Sequence, residues 1–324
     1  PRSTPLYSSA ASDVYKRQVL ILRGSGSLEH VQIDNFTWQC PPDVSGSDFF
    51  LYDLSWVGFC RGDVAAEGIY AETGITVSDV ASWRRGMQMI FERQAPTAIA
   101  VKSQHAYERT LLWRERSDED VAPIVAKVLA GLEIDHEQRL CLGDWALACG
   151  VELAIEHDLP FKIHTGYYAG HSRMPVDRIR SGHLCELLKR YPDARFVLMH
   201  TAYPYSAELV ALAKHYRNVY VDMCWAWSID PYSACDFVRR MIHTVPANKL
   251  LVFGGDTFWP TAAVAYSSQA RTWLTRALQA EVDDGLLSEQ DAIVLATRLM
   301  RGNQEACFDI IGRRNAISKM LNVK

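Results

Sequence analysis

Short apolar runs that end in a polar residue recur along this chain and alternate with longer segments of helical period. The clearest three, at residues 161–164, 196–200 and 251–256, end in His164, His200 and Asp256. Unbroken apolar runs of this length are typical of parallel strands that are buried on both faces. The alternation of such strands with helices predicts repeated βα units around a parallel sheet.

Further strands are predicted at residues 29–36, 49–52, 97–102 and 218–222, of which the last two end in Lys102 and Asp222. Helices are predicted at residues 77–93, 118–132, 136–157, 176–191, 207–215, 235–243, 262–280, 288–300 and 303–308. Strands that repeatedly end in a potential ligand favour a (β/α)8 TIM barrel, whose strand ends converge on one catalytic face. A doubly wound open sheet is the alternative, but it places its ligands at one switch point of the strand order.

The first residues do not resemble the start of this fold, because they are rich in serine and lack periodicity. Residues 9–18 resemble a sequencing or assembly scar, so we treat residues 1–18 as a non-native or disordered segment outside the fold. A genuine disordered tail is the alternative. The barrel domain is then expected to span residues 19–324, and we expect the natural sequence before Val19 to be missing.

Composition narrows the class of protein. A net charge of −4 and a pI near 6.2, without any basic run, predict that nucleic acid is not a partner. No apolar stretch approaches the roughly 18–20 residues that span a bilayer, and no signal peptide is recognisable, so we expect no membrane association. The eight cysteines form no C-x-x-C pair, which predicts reduced, mostly buried thiols in a cytoplasmic protein. We expect a small-molecule substrate, and a homo-oligomer stays open because nothing marks an interface.

The three strand-end residues predict a divalent metal site. Imidazole and carboxylate ligands suit Zn²⁺, with Mn²⁺ or Fe²⁺ as substitutes. Such a metal lowers the pKa of bound water towards roughly 7 and polarises a carbonyl oxygen. Asp256 could take a proton from that water and pass it to a leaving group, and His200 could ligate the metal or stabilise an oxyanion. A single strand-end histidine is more often structural, but two histidines and an aspartate on separate strands favour a site.

Four further residues are candidates for binding the substrate. Lys102 could bind an anionic substrate, bridge metals as a carbamate or serve a structural role, and we favour the first or the last. Arg173 could grip a carboxylate through two hydrogen bonds or be a solvated loop residue. Tyr203 and Trp225 belong to an aromatic set after the strand ends, which could line a pocket or simply pack. Asp222 could support the site or cap the next turn.

Four segments, at residues 159–166, 197–204, 218–222 and 253–257, resemble the amidohydrolase superfamily, in the branch called amidohydrolase 2. Their order and content are most similar to the nodulin-like and FluG-like amidohydrolases. Residues 100–111 resemble the fourth strand of that group and its loop. The resemblance covers residues 29–310 and implies a metal-dependent hydrolase on a TIM barrel.

The resemblance also implies roles for the three strand-end residues, together with one departure. His164 would be the metal ligand of the fifth strand, His200 a ligand or oxyanion partner on the sixth, and Asp256 the ligand and proton shuttle of the eighth. The family's first strand has a His-x-His pair, which this chain lacks, and the nearest match, at residues 30–32, lies where the second strand should be. We therefore expect a truncated barrel without its first strand, which could be inactive.

Our leading functional hypothesis is a metal-dependent hydrolase that attacks a small carboxylate-bearing amide with a metal-activated water. The first alternative is a metal-dependent decarboxylase or an enzyme similar to uronate isomerases on the same barrel, since the fold alone fixes no reaction. The second is a non-catalytic, degenerate barrel that binds no metal. Product analysis separates the two enzyme classes.

Overall fold

The sheet is built from seven parallel strands that pair side by side in chain order. The computed structural model describes residues 17–42, 48–170 and 173–322, so residues 1–16 of the predicted non-native segment lie outside the described residues. The strands are β1 (Val31–Ile33), β2 (Phe50–Ser55), β3 (Ala98–Ser103), β4 (Phe161–Ile163), β5 (Phe196–Met199), β6 (Val219–Asp222) and β7 (Leu250–Leu251). The sheet curls into a half-barrel with helices around it, which confirms the prediction of a TIM barrel lacking one strand.

The α-helices within the described residues follow the strands along the chain. They are α1 (Val57–Cys60), α2 (Ala66–Thr73), α3 (Val80–Gln94), α4 (Asp118–Leu129), α5 (His136–Glu156), α6 (Cys185–Arg190), α7 (Ser206–His215), α8 (Ala226–Ile229), α9 (Pro231–Thr244), α10 (Pro260–Asp283), α11 (Glu289–Thr297), α12 (Asn303–Cys307) and α13 (Ile310–Asn322). Among them, none is long and apolar enough to cross a membrane.

The central strands have the burial that their unbroken apolar sequences predict. Every residue of β2, β3, β4 and β5 is buried, whereas all three residues of β1, at one edge of the sheet, are half-buried. The register aligns Lys102 of β3 with Lys162 of β4, so two cationic side chains lie next to each other on the sheet. The eight cysteines, all within the described residues, are unpaired, and six are buried, as predicted.

Two predicted elements are shorter than expected. The helix predicted at 176–191 begins as a 3₁₀ turn at Ser181–Leu184 and is α-helical only in α6. Its earlier residues use their carbonyls elsewhere, since Arg178 accepts from the Leu111 amide and Ile179 from the Gly166 amide. The strand predicted at 251–256 ends at Leu251, because the next backbone groups bond to other elements: the Val252 carbonyl accepts from the Trp227 indole and the Gly254 carbonyl from the Trp225 amide. Helices α1, α2, α8 and α13 were not predicted.

A buried arginine anchors the loop that follows β3. The Arg109 side chain is 4% exposed and pairs with Asp144 of α5, while its guanidinium donates to the carbonyls of Cys60 and Leu112. A buried charge is tolerated only when it is paired and its hydrogen bonds are made. Arg109 therefore fixes this loop, which also contains Tyr107, against the α5 side of the barrel.

Candidate active site

A cavity of about 1280 Å³ is lined in part by residues at the carboxyl ends of the strands, where catalytic residues of barrels collect. Its polar lining includes residues of several strands and of the loops that follow them: Asp53, Lys102, Lys162, His164, Asp222 and Asp256. Apolar residues of α10 and α11, such as Leu278 and Ala296, also line it. A mainly apolar cavity with a few convergent polar groups is the usual form of a small-molecule site.

Two histidines lie together at this end of the barrel. His164 directly follows β4 and His200 directly follows β5, and their ring centroids are 4.5 Å apart. Both are buried, with exposed fractions of 3% and 0%. The backbone of His200 has a φ of 61°, in the left-handed region that non-glycine residues seldom adopt. Such backbone conformations are found preferentially at functional sites.

The two imidazoles are neutral and have unused nitrogen atoms. Burial lowers the pKa of His200 to about 4, against the opposing effect of Asp256. Burial also holds the pKa of His164 well below its ordinary value, and the neighbouring His200 and Lys102 contribute. The Nδ1–H of His200 donates to the Cys224 carbonyl at 2.8 Å, so in the neutral ring Nε2 has no proton and its lone pair is free to bind a ligand. Within the described residues, Nε2 of each histidine has no hydrogen-bond partner.

Asp256 lies near this pair but on a loop. Its Oδ2 is 4.0 Å from His200 Nε2, and its side chain is 41% exposed. Neutral imidazole nitrogens without partners and a nearby carboxylate fit a divalent metal in the kind of donor they offer. In the part of the chain that the structure describes, however, no group of three or more histidine, cysteine, aspartate or glutamate side chains is arranged to hold a metal ion.

The two lysines of the cavity differ in their partners. Lys162 is paired with Asp53 at 2.5 Å and donates to Gln32 at 2.9 Å. Lys102 is 7% exposed, and its Nζ contacts the Met199 sulfur at 2.6 Å. No carboxylate of the described residues lies within ion-pair distance of Lys102, so its charge is available to an anion that enters the cavity.

Two buried carboxylates line the same space. Burial raises the pKa of Asp53 to about 6, although Lys162 opposes the shift. Burial likewise raises the pKa of Asp222 to about 6, and the Cys224 amide, which donates to Asp222 at 2.7 Å, opposes it. Asp222 caps the turn after β6 and also lines the cavity, so its predicted support of the site stays a prediction.

The other predicted residues are not part of the cavity lining, and His200, which is 0% exposed, is also not part of it. Arg173 is exposed, and His171, a loop residue two positions earlier, lies outside the described residues. Trp225 packs edge-on against the His200 ring at 5.8 Å, and Tyr203 lies 6.2 Å from the Tyr167 ring. Neither aromatic ring lines the cavity.

Three residues near the site were missed. Tyr107 lines the cavity and its ring is tilted against that of His164, with centroids 4.7 Å apart. Lys162 lines it from the middle of β4, and His105 is a further buried histidine, bonded through Nδ1 to the Ser103 hydroxyl at 2.8 Å. Lys162 could have been predicted, because a cation inside an apolar strand sequence needs a polar partner or a ligand. The other two follow β3 in a stretch without a recognisable period.

Comparisons with known proteins agree with this architecture. A family model described as amidohydrolase matches residues 134–291. The FluG protein of Emericella nidulans is 24% identical over 226 residues, which cover 66% of this chain and 26% of that protein. This chain therefore spans about a quarter of the length of its curated relative.

Solved structures share the fold. A Lactobacillus casei protein assigned as a metal-dependent hydrolase gives a TM-score of 0.71 at 16% identity, covering 91% of this chain and 77% of that one. A uronate isomerase of Thermotoga maritima gives a TM-score of 0.73 at 13% identity, covering 89% of this chain and 69% of that one. A glucuronate isomerase of Caulobacter crescentus gives a TM-score of 0.71 at 16% identity, covering 94% of this chain and 68% of that one. Identities this low show the fold alone. The family-model match over residues 134–291 and the FluG relative show that the chain is similar to amidohydrolases.

Proposed function

We propose that this protein is a metal-dependent hydrolase of a small, carboxylate-bearing amide. The observation that supports this most is the pair of buried, neutral histidines whose Nε2 atoms have no partner among the described residues. Leaving two buried nitrogen atoms without a hydrogen bond is costly unless a ligand uses them. Their position at the strand ends of a barrel is where such a ligand would meet a substrate.

In this proposal His164 and His200 would hold the metal through Nε2, and Asp256 would complete the donors. Zn²⁺ suits them best, with Mn²⁺ or Fe²⁺ as alternatives. When bound, such an ion activates water and polarises the carbonyl of the scissile amide. The hydrogen bond from His200 Nδ1 to the Cys224 carbonyl favours a ligand role over oxyanion stabilisation, because Nε2 of this tautomer has no proton to donate.

The proton transfers would belong to Asp256. Its partly exposed carboxylate can reach solvent and lies 4.0 Å from His200 Nε2. It would accept the proton of the attacking water at one oxygen and deliver it to the leaving nitrogen. Asp256→Asn should therefore lower kcat by about 10²–10⁴-fold, the range for a general acid–base group.

Lys102 would bind the substrate carboxylate, because its charge has no carboxylate partner within the described residues. Removing a charged hydrogen bond to a ligand costs about 1.5–3 kcal/mol. Lys102→Met should therefore raise KM by about tenfold or more. Lys127→Met, at an exposed position on α4, is the matched control and should leave KM unchanged.

Mass analysis of products tests the reaction class. Purified protein would be loaded separately with Zn²⁺, Mn²⁺ and Fe²⁺ and incubated with N-acyl amino acids and with uronic acids. We expect products that have gained one water from the amides. Loss of CO2, or a product of unchanged mass from a uronic acid with all amides intact, would contradict the proposal and support the lyase or isomerase class.

A further inference from the structure

Three large aromatic side chains line the cavity and are exposed to solvent. We call Phe36, Phe258 and Trp259 the aromatic rim; their exposed fractions are 56%, 85% and 71%. All three line the same cavity as Lys102 and Asp256. Exposed aromatic groups that cluster at a concave site are characteristic of ligand-binding surfaces.

Phe36 is held in place by a built turn. Its backbone has a φ of 58°, a strained conformation for a bulky residue, and its amide donates to Asp34 Oδ1 at 2.8 Å. The other oxygen of Asp34 accepts from the Gln104 side chain at 3.0 Å. Gln104 directly follows β3, so the turn that presents Phe36 is tied to the same strand that presents Lys102.

The other two rings are placed by the start of a long helix. Trp259 immediately precedes α10, its carbonyl accepts from the Ala263 amide at 3.0 Å, and its amide donates to the Thr257 hydroxyl at 3.2 Å. Phe258 and Trp259 are the second and third residues after Asp256. A catalytic carboxylate and two rim rings are therefore presented by one short loop.

The cavity lining thus combines two chemically different groups, a buried cation and exposed aromatic rings. Lys102 is 7% exposed, the tilted Tyr107 and His164 rings have centroids 4.7 Å apart, and the three rim rings are exposed. A ligand that matches both groups has a carboxylate and a flat apolar group. We propose that the aromatic rim is a specificity site and that the substrate is an amide with an aromatic ring distal to its carboxylate. The amide part rests on the proposed function, whereas the binding part does not.

Binding of carboxylates that cannot be hydrolysed tests the rim independently of catalysis. The probes are 4-phenylbutyrate and butyrate, which share a carboxylate and differ in the ring, and their affinities for metal-loaded protein would be measured by calorimetric or NMR titration. We expect 4-phenylbutyrate to bind about tenfold more tightly than butyrate, because ring stacking and apolar burial both favour it.

Three variants locate that preference. In Phe36→Ala and in Trp259→Ala the ratio of the two affinities should fall towards one, while butyrate binding stays unchanged. Tyr232→Ala is the matched control, because Tyr232 is 76% exposed but packs on Trp273 away from the cavity lining, and it should keep the wild-type ratio. These side chains are exposed, so folding should be unaffected, which amide NMR spectra would verify.

Two results would overturn the inference: equal binding of both probes by the wild-type protein, or rim variants that weaken both probes equally. Failure of the proposed function has a different signature. In that case 4-phenylbutyrate would bind through the rim as expected, yet no amide would be hydrolysed.

Discussion

Removal of the buried Arg109 guanidinium should destabilise the barrel strongly and in a pH-dependent manner. Arg109 and Asp144 are 4% and 2% exposed, so Arg109→Met leaves a buried carboxylate without its main partner. It also removes donors from the carbonyls of Cys60 and Leu112. Breaking one side of a buried pair costs about 3–5 kcal/mol. Arg116, whose Nε lies 3.5 Å from Asp144, can compensate in part, so we expect a loss of about 3 kcal/mol at pH 7.

The pH dependence follows from the carboxylate. Burial already raises the pKa of Asp144 above its ordinary value, and Arg109 opposes that shift. Without Arg109 the pKa should rise further. A carboxylate with a raised pKa in the folded state contributes stability that is fully present below its unfolded pKa and is lost as the pH rises through the folded one. The loss of free energy of unfolding in Arg109→Met should therefore be largest at pH 8 and smaller at pH 5.

Urea denaturation monitored by tryptophan fluorescence at pH 5 and pH 8 measures both effects. The matched control is the double variant Arg109→Met with Asp144→Leu, which replaces the pair by apolar side chains and should recover most of the stability. A loss below 1 kcal/mol in the single variant, or a penalty that grows as the pH falls, would refute this account of the loop anchor. A double variant as unstable as the single one would refute it too.

Two further predictions concern packing and protonation. Gly150→Ala should destabilise by about 1–3 kcal/mol in urea, because the added Cβ would lie 2.2 Å from the buried Trp56 indole nitrogen, whereas Gly302→Ala, with nothing within 4 Å, should change stability by under about 0.5 kcal/mol. When EDTA keeps the protein free of metal, the free energy of unfolding of the wild-type protein should fall between pH 7 and pH 4 by about 3 kcal/mol more than that of His200→Asn. The lowered pKa of His200, about 4 against 6.5, makes its contribution present above pH 6.5 and lost as the pH falls through 4. Parallel acid profiles of the two proteins would contradict this.

The sequence predicted what depends on local pattern and missed what depends on distant contacts. His164 and His200 end apolar runs that are strands, so their convergence followed from the barrel geometry alone. Asp256 was predicted at a strand end, yet β7 stops at Leu251 because groups from α8 and its preceding turn take the later backbone carbonyls. The ring contact between Tyr107 and His164 joins two loops that no periodicity links.

The residues that were predicted to bind the substrate show the same division. Lys102 faces the cavity because a strand position fixes its direction. Arg173, Tyr203 and Trp225 lie on loops, whose paths depend on contacts with other elements, and the structure places them outside the cavity lining. Phe36 lies in a turn fixed by Asp34 and Gln104, a contact that the sequence pattern does not indicate.

Metal content is the most direct test of the central claim that His164 and His200 form a divalent metal site. Wild-type protein, His164→Ala, His200→Ala and the exposed control His136→Ala would be loaded with Zn²⁺, desalted and measured by mass spectrometry, with circular dichroism to verify folding. We predict about one Zn²⁺ per chain in the wild-type and His136→Ala proteins and a loss of at least tenfold in the other two. Equal metal content in all four folded proteins, or none in any of them, would contradict the claim.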